Sequence, residues 1–210
     1  MSQPKIVCFD LGGVLCKIRH TWAEAIRAAG VSCSKMPDPG FRLNDLTALH
    51  GYQDGSITLD RYLEALVAEF GLASTEDALA VHQGILDQVY PGTEDLIADL
   101  RAVGLRVGCM SNNNAAHWER FLSEDHFPAI ADLEVQIGSH FVGSSKPDGK
   151  IYDAFEQASG CRGSEIVFFD DTAENIGPAQ DRGWHAFHVD ANGDTPSRMR
   201  ADLFSLGILV

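Results

Sequence analysis

The stretch Ile6-Val7-Cys8-Phe9-Asp10-Leu11-Gly12-Gly13-Val14-Leu15 decides how this chain is read. Four apolar residues in a row, cut off by a carboxylate and two glycines, mark a buried strand that hands Asp10 to a turn at its carboxyl end. Open α/β sheets bind ligands just beyond the carboxyl ends of their strands, so Asp10 is the leading candidate nucleophile. The pattern recurs at Ile166-Val167-Phe168-Phe169, which runs into Asp170-Asp171-Thr172, with Asn175 one helical turn further on. Adjacent carboxylates repel each other, and a divalent cation with hard oxygen ligands is the usual reason to place two at a strand end. Between these runs lie a strand ending in Ser111-Asn112 and an isolated Ser145-Lys146-Pro147-Asp148. Four clusters thus offer a nucleophile, a hydroxyl, a cation and a metal site.

After the first strand, the next recognisable one is Leu105 to Met110, so a long insertion separates two pieces of one sheet. Its pattern is helical. His20 to Ala29 puts Trp22, Ala25, Ile26 and Ala29 on one face and stops at Gly30; Phe41 to His50 follows a turn-rich stretch; Thr58 to Phe70 carries the stripe Leu59, Tyr62, Leu63, Leu66, Val67, Phe70. Pro91-Gly92 punctuates a hinge before the amphipathic helix Thr93 to Val103. From there helices are expected at 117–123, 151–159 and 174–182, and strands at 134–137, 166–169 and 185–189, with a polar loop over Asp190 to Ser197. Alternation of this kind implies an α/β fold with a five-stranded parallel sheet and right-handed crossovers.

Composition sets outer bounds. A chain of 210 residues, 45% hydrophobic and 22% charged, holds one full core or a core with a small accessory domain. Thirty acidic against 16 basic residues give a formal charge of −14, which argues against nucleic acid or an anionic membrane as partner. No apolar run reaches the roughly 18 residues of a membrane span, and the amino terminus lacks the order of a signal peptide, so a cytoplasmic protein is expected. Five cysteines without a CxxC pair suggest neither a disulfide framework nor a zinc knuckle.

Phosphate esters resist attack because nucleophile and phosphoryl oxygens are both negative, so a carboxylate nucleophile needs a metal and a fixed cation beside it. Asp10 and Asp171 can hold the metal and Lys146 can supply the cation. The oxygen-rich clusters favour Mg²⁺ over Zn²⁺. Ser111 would donate to a phosphoryl oxygen, and backbone N–H groups near Leu11 and Asn112 would complete the cradle.

The ordered set FDLGGVL, SN, SKPDGKIYDAF and FFDDTAEN, with GW beyond it, resembles the haloacid dehalogenase-like hydrolase superfamily along essentially the whole chain. FDLGGVL with a downstream SNNNAAHW looks most like the helical-cap phosphatases that include sugar-1-phosphate phosphatases and the phosphatase domain of soluble epoxide hydrolase. The resemblance implies a Rossmann-like core over 1–16 and 91–210, an inserted helical cap over 17–90, an aspartyl-phosphate intermediate and Mg²⁺-dependent hydrolysis of a small phosphorylated metabolite. It also implies that the Gly12 carbonyl joins Asp10 and Asp171 on the metal. Asp170 then stands behind them, and Asn175 orients a metal-bound water or Lys146.

One departure matters. Phosphatases of this family usually carry a general acid two residues after the nucleophile; here that position is Gly12. Positioned acid–base catalysis contributes about 10²–10⁴-fold, so either turnover is slow or the substrate has a good leaving group, such as an anomeric sugar phosphate or an acyl phosphate. His117 is a candidate substrate contact, with a lesser role as substitute acid. Arg19, His20 and Trp22 could face the site from the insertion, although Trp22 belongs to a packing stripe; Arg42 and Arg61 read as surface charges. Two alternatives stand beside the phosphatase: a metal-free 2-haloacid dehalogenase, and a weak or inactive module that binds a phosphometabolite for regulation.

Overall fold

The computed structural model describes residues 3–123 and 125–209, so residues 1, 2, 124 and 210, which the expected core includes, lie outside it. The chain opens with β1 (Ile6–Phe9) and β2 (Cys16–Ile18), followed by helices α1 (Trp22–Ala29), α2 (Thr47–Gln53), α3 (Leu59–Phe70) and α4 (Thr75–Gln83) and the strand β3 (Leu86–Val89). Next come α5 (Thr93–Ala102), β4 (Arg106–Ser111), α6 (Ala115–Phe121), α7 (Pro128–Ala131), β5 (Val135–Gly138) and α8 (Ser139–Val142). The last third holds α9 (Gly149–Ser159), β6 (Ile166–Asp170), α10 (Ala173–Asp181), β7 (His185–His188) and α11 (Thr195–Ser205).

The main sheet has the order β5-β4-β1-β6-β7, with every neighbouring pair parallel, which makes this a Rossmann-like α/β fold. All four residues of β1 are fully buried. Val7 and Phe9 pack into the apolar cluster on one face of the sheet, Ile6 and Cys8 into the cluster on the other. Burial on both faces is why β1 reads as an unbroken apolar run instead of an alternating one. From β1 the chain builds outward to β4 and β5 on one side, then crosses to add β6 and β7 on the other. The reversal leaves a crevice at the carboxyl end of β1, where such sheets take their ligands.

The helices α1 to α4 have a core of their own around Trp22, Ile26, Tyr62, Leu66, Phe70 and Val81. Thr21 caps α1 in a full capping box with Glu24, and Gly30, in the left-handed region at φ 67°, ends it. Thr58 caps α3 by accepting from the Arg61 N–H. β2 and β3, absent from the sequence reading, pair antiparallel and bring the two ends of the helical segment together. Arg19 reinforces this junction, donating to the carbonyls of Gly84 and Leu86 at 2.8 Å each.

Other differences are local. Phe41 to His50 is split into a short 3-10 turn at Leu43–Asp45 and α2. α4 and α11 were not expected; α11 begins inside the stretch read as polar loop, with Asp194 accepting from the Ser197 N–H. α6 starts two residues ahead of His117 because Asn114 caps it. No helix among the described residues is long and apolar enough to cross a membrane.

Candidate active site

The register of the sheet assembles the site. Phe9 of β1 lies beside Cys109 of β4 and Phe169 of β6, so the residues that follow these strands emerge together. Asp10 leaves β1 with its N–H on the Phe169 carbonyl. Asp170 closes β6, and Ser111 closes β4. Lys146 arrives from the loop before α9, and Asn112 pins that loop: its side-chain amide donates to the Lys146 carbonyl at 2.9 Å and accepts from the Lys146 N–H at 2.7 Å. The Lys146–Pro147 peptide is cis.

The Lys146 ammonium is buried between two carboxylates, 2.6 Å from Asp170 Oδ2 and 3.1 Å from Asp10 Oδ2. Asp170 is saturated by protein: its other oxygen accepts from the Thr172 N–H at 2.8 Å and the Asn175 amide at 2.9 Å. Asn175 therefore reaches Lys146 only through Asp170. Carboxylate oxygens of Asp10, Asp170 and Asp171 all lie within 4.8 Å of one another. Burial raises the Asp10 pKa first of all; Lys146 pulls it down, Asp170 and Asp171 push it up, and the balance is upward. Asp171 is raised in the same way, by burial and then by Asp170. Burial works against the Lys146 charge, yet Asp10 and Asp170 outweigh it and hold the ammonium more firmly charged than usual.

Three carboxylates around one ammonium leave an excess of negative charge in a largely dry site, and every donor on offer is a hard oxygen. Asp170 spends its oxygens on Lys146, Thr172 and Asn175, whereas Asp10 and Asp171 also line an open cavity of about 910 Å³. This donor set fits Mg²⁺ and not Zn²⁺. Gly12, Ser111, Asn112 and Lys146 border the same cavity. Its wall is almost entirely polar, the exceptions with apolar side chains being Ile18 and Ala173.

Two expected contributions are placed differently. The Leu11 N–H, read as part of a phosphate cradle, donates to Asp10 Oδ1 at 2.7 Å, so it fixes the carboxylate instead. His117, read as a substrate contact, is buried and stacked on His82 at 3.8 Å, with Nε2 donating to the His82 carbonyl at 2.8 Å. Its other ring nitrogen meets the Asn114 amide at 3.4 Å, and burial depresses its pKa to about 4. A ring held neutral with both nitrogens occupied packs α6 against α4, which is poor placement for a proton donor, although it borders a smaller cavity together with Gly12, Ser111 and Asn112.

Residues of the helical segment complete the cavity. His20, Arg42, Asn44, His50, Gln53 and Asp54 all border it; Arg42 is exposed, as its sequence context suggests, and also lines this cavity. Arg19 instead ties the segment's ends, Trp22 is fully buried among its helices, and Arg61 pairs on the surface with Glu64. Only the direction of side chains across a folded helical segment could have revealed Arg42, and sequence periodicity does not carry that direction between elements.

The sequence pattern of haloacid dehalogenase-like hydrolases matches residues 4–183. The chain is 30% identical over 210 residues to Phosphatase MT3486 of Mycobacterium tuberculosis (strain CDC 1551 / Oshkosh), an alignment that takes in 97% of this chain and 95% of that protein. Among solved structures it is similar to the magnesium complex of the HAD family enzyme BT-2542 from Bacteroides thetaiotaomicron, with TM-score 0.78 and 22% identity over 95% of this chain and 100% of that one. The L-2-haloacid dehalogenase of Xanthobacter autotrophicus is more distant, with TM-score 0.60 and 19% identity over 89% of this chain and 78% of that one.

Proposed function

Because this chain belongs to the haloacid dehalogenase-like hydrolases, we propose that it is a Mg²⁺-dependent phosphatase that cleaves small polar phosphomonoesters through an aspartyl-phosphate on Asp10. The observation that carries this reading is the convergence of Asp10, Asp170 and Asp171 around the Lys146 ammonium at the carboxyl end of the sheet. Residues 17–90 act as a cap over that site.

In this reading Asp10, held by the Leu11 N–H, attacks phosphorus and carries the phosphoryl group until water releases it. Lys146 offsets phosphoryl charge, and Asp170, braced by Thr172 and Asn175, keeps the ammonium aimed and charged. Ser111 donates to a phosphoryl oxygen. Mg²⁺, held by Asp10, Asp171 and the Gly12 carbonyl, would relieve the repulsion between nucleophile and phosphate. The magnesium bound by BT-2542 and the name of the mycobacterial relative support this reading.

Gly12 offers no acid to the leaving oxygen, so the favoured substrates are those whose leaving groups need least protonation, anomeric sugar phosphates and acyl phosphates. The same glycine favours a second reading, a module that binds phosphometabolites without turning them over. The test is phosphate release from a panel of phosphorylated metabolites by the wild type and Asp10→Asn, with Mg²⁺ and with EDTA. Turnover that needs both Mg²⁺ and Asp10 is expected. Binding with no turnover on any substrate would favour the regulatory module, and chloride release from 2-haloacids without Mg²⁺ would favour a dehalogenase.

A further inference from the structure

Beside the main cavity lies a recess of about 90 Å³, bordered by Ile18, His20, Arg42, Leu43 and Asn44. An open recess of this size admits one small polar group such as a carboxylate or a phosphate. Four of its five residues, all but Leu43, also border the catalytic cavity, so the two spaces share a wall. The recess has no acidic residue. Asp54, Asp148 and Glu174, which face the main cavity, do not border it.

The backbone that carries the exposed polar side chains of the recess is held by hydrogen bonds. Thr21 and Arg42 form an antiparallel bridge, with the Leu43 N–H on the His20 carbonyl at 3.1 Å and the Trp22 N–H on the Phe41 carbonyl at 3.2 Å. These bonds set Arg42 opposite Thr21 and Leu43 opposite His20. Asp45, the nearest acidic residue along the chain, turns its Oδ2 to the Arg42 backbone N–H at 2.8 Å, and the Arg42 guanidinium forms no ion pair among the described residues. Arg42 is exposed and borders both the recess and the catalytic cavity, so its guanidinium, which has no carboxylate partner among the described residues, is open to a ligand there.

We infer that the recess around Arg42 binds a second anionic group of the substrate, so that the protein selects phosphomonoesters carrying a carboxylate or a second phosphate at the end remote from the scissile bond. Arg42 forms the charge-assisted pair, and the His20 ring and the Asn44 amide flank it. The inference rests on the phosphatase reading and narrows it: a sugar or acyl phosphate that fits would be an acidic or doubly phosphorylated one.

The experiment compares three substrate series of matched and increasing chain length: phosphorylated ω-hydroxy acids, alkane bisphosphates and plain alkyl phosphates. At one spacing or more, the doubly charged substrate is expected to exceed its alkyl counterpart in kcat/KM by about tenfold or more, chiefly through KM. Arg42→Ala should bring that ratio close to one, and Arg42→Lys should restore part of it. Which series shows the advantage separates a carboxylate from a phosphate as the second anion. Absence of any advantage in the wild type, or an advantage that survives Arg42→Ala, overturns the proposal. Calorimetric binding of the same compounds to Asp10→Asn reads the same ratio without turnover. A protein that hydrolyses none of them but releases phosphate from acyl or anomeric phosphates is still a phosphatase, one that releases phosphate from neither kind is not, and in both cases the recess stands or falls on the binding ratio.

Discussion

A Cβ placed on Gly12 would lie 3.3 Å from both Cδ1 and Cγ2 of Ile18, so the space of the missing acid is partly filled by a hydrocarbon side chain. Restoring the acid therefore takes two changes. Gly12→Asp alone is expected to give little, because the new side chain is crowded off its path to the leaving oxygen. Gly12→Asp with Ile18→Ala should raise kcat on alkyl phosphates, toward the 10²–10⁴-fold of positioned acid catalysis, and much less on acyl or anomeric phosphates. Steady-state rates on paired substrates check this, and equal gains on both kinds would remove the leaving-group argument. Gly13 next to it has φ 78°, and a Cβ there would overlap Asp171 Oδ2. Gly13→Ala must push that carboxylate aside, so Mg²⁺ affinity measured by calorimetry should fall by about 10–100-fold. Unchanged affinity would place Asp171 outside the metal site.

Between elements, the helical segment is tied to the rest of the chain by a chain of neutral hydrogen bonds from α3 and α4 to α6. The Tyr62 hydroxyl meets His82 Nδ1 at 2.8 Å, His82 Nε2 meets Asn114 Oδ1 at 3.0 Å, and His117 Nε2 meets the His82 carbonyl at 2.8 Å. Because His117 Nε2 must donate to a carbonyl, its Nδ1 faces the Asn114 amide as an acceptor, and protonation would set two donors against each other. Burial lowers the His117 pKa from 6.5 to about 4, and that of His82 well below its usual value. A histidine held below its unfolded pKa costs nothing above that value and loses stability as pH falls from 6.5 toward 4, by about 3 kcal/mol for His117 alone. Asp10 and Asp171 titrate with the opposite sign over the same range, so urea unfolding from pH 7.5 down to 4 should show this loss as a difference between the wild type and His117→Gln; parallel profiles for the two proteins would refute the latch. The same helices show where sequence reading runs out. α4 has Ala78, Val81 and His82 as its buried residues, so its inner face hides behind a histidine that counts as polar. β3, Leu-Asp-Gln-Val with two exposed polar residues in the middle, is too short to show a period. In contrast β1, β4 and β6, buried on both faces, announced themselves as apolar runs, and the acidic and hydroxyl residues at their ends were legible as a group for that reason.

For the molecule as a whole, the site sits at the carboxyl end of the sheet with residues of the helical segment along its cavity, and its buried charge is not balanced by the chain itself. Asp10 and Asp171 are both held above the ordinary carboxylate range, by burial first. An acid raised in the folded state disfavours folding once it ionises, so this cost grows as pH rises from about 4 through the raised values, about 6 for Asp171 and about 7 for Asp10, and is complete only above them. A divalent cation bound between Asp10 and Asp171 would relieve this penalty. Asp171→Asn removes one of the three charges, and without divalent metal it should melt a few degrees above the wild type, since 1 kcal/mol moves a domain of this size by roughly 2–4 °C. Mg²⁺ at about 100 times its dissociation constant should stabilise the wild type by about 2.7 kcal/mol, or roughly 5–10 °C, and should leave Asp171→Asn nearly unmoved. The crossing is the diagnostic outcome: the variant more stable in EDTA, the wild type more stable in Mg²⁺. A packing role for Asp171 would make the variant less stable in both, and a surface role would change neither. Thermal melts of the two proteins under the two conditions therefore separate a carboxylate kept for a metal from one kept for the fold.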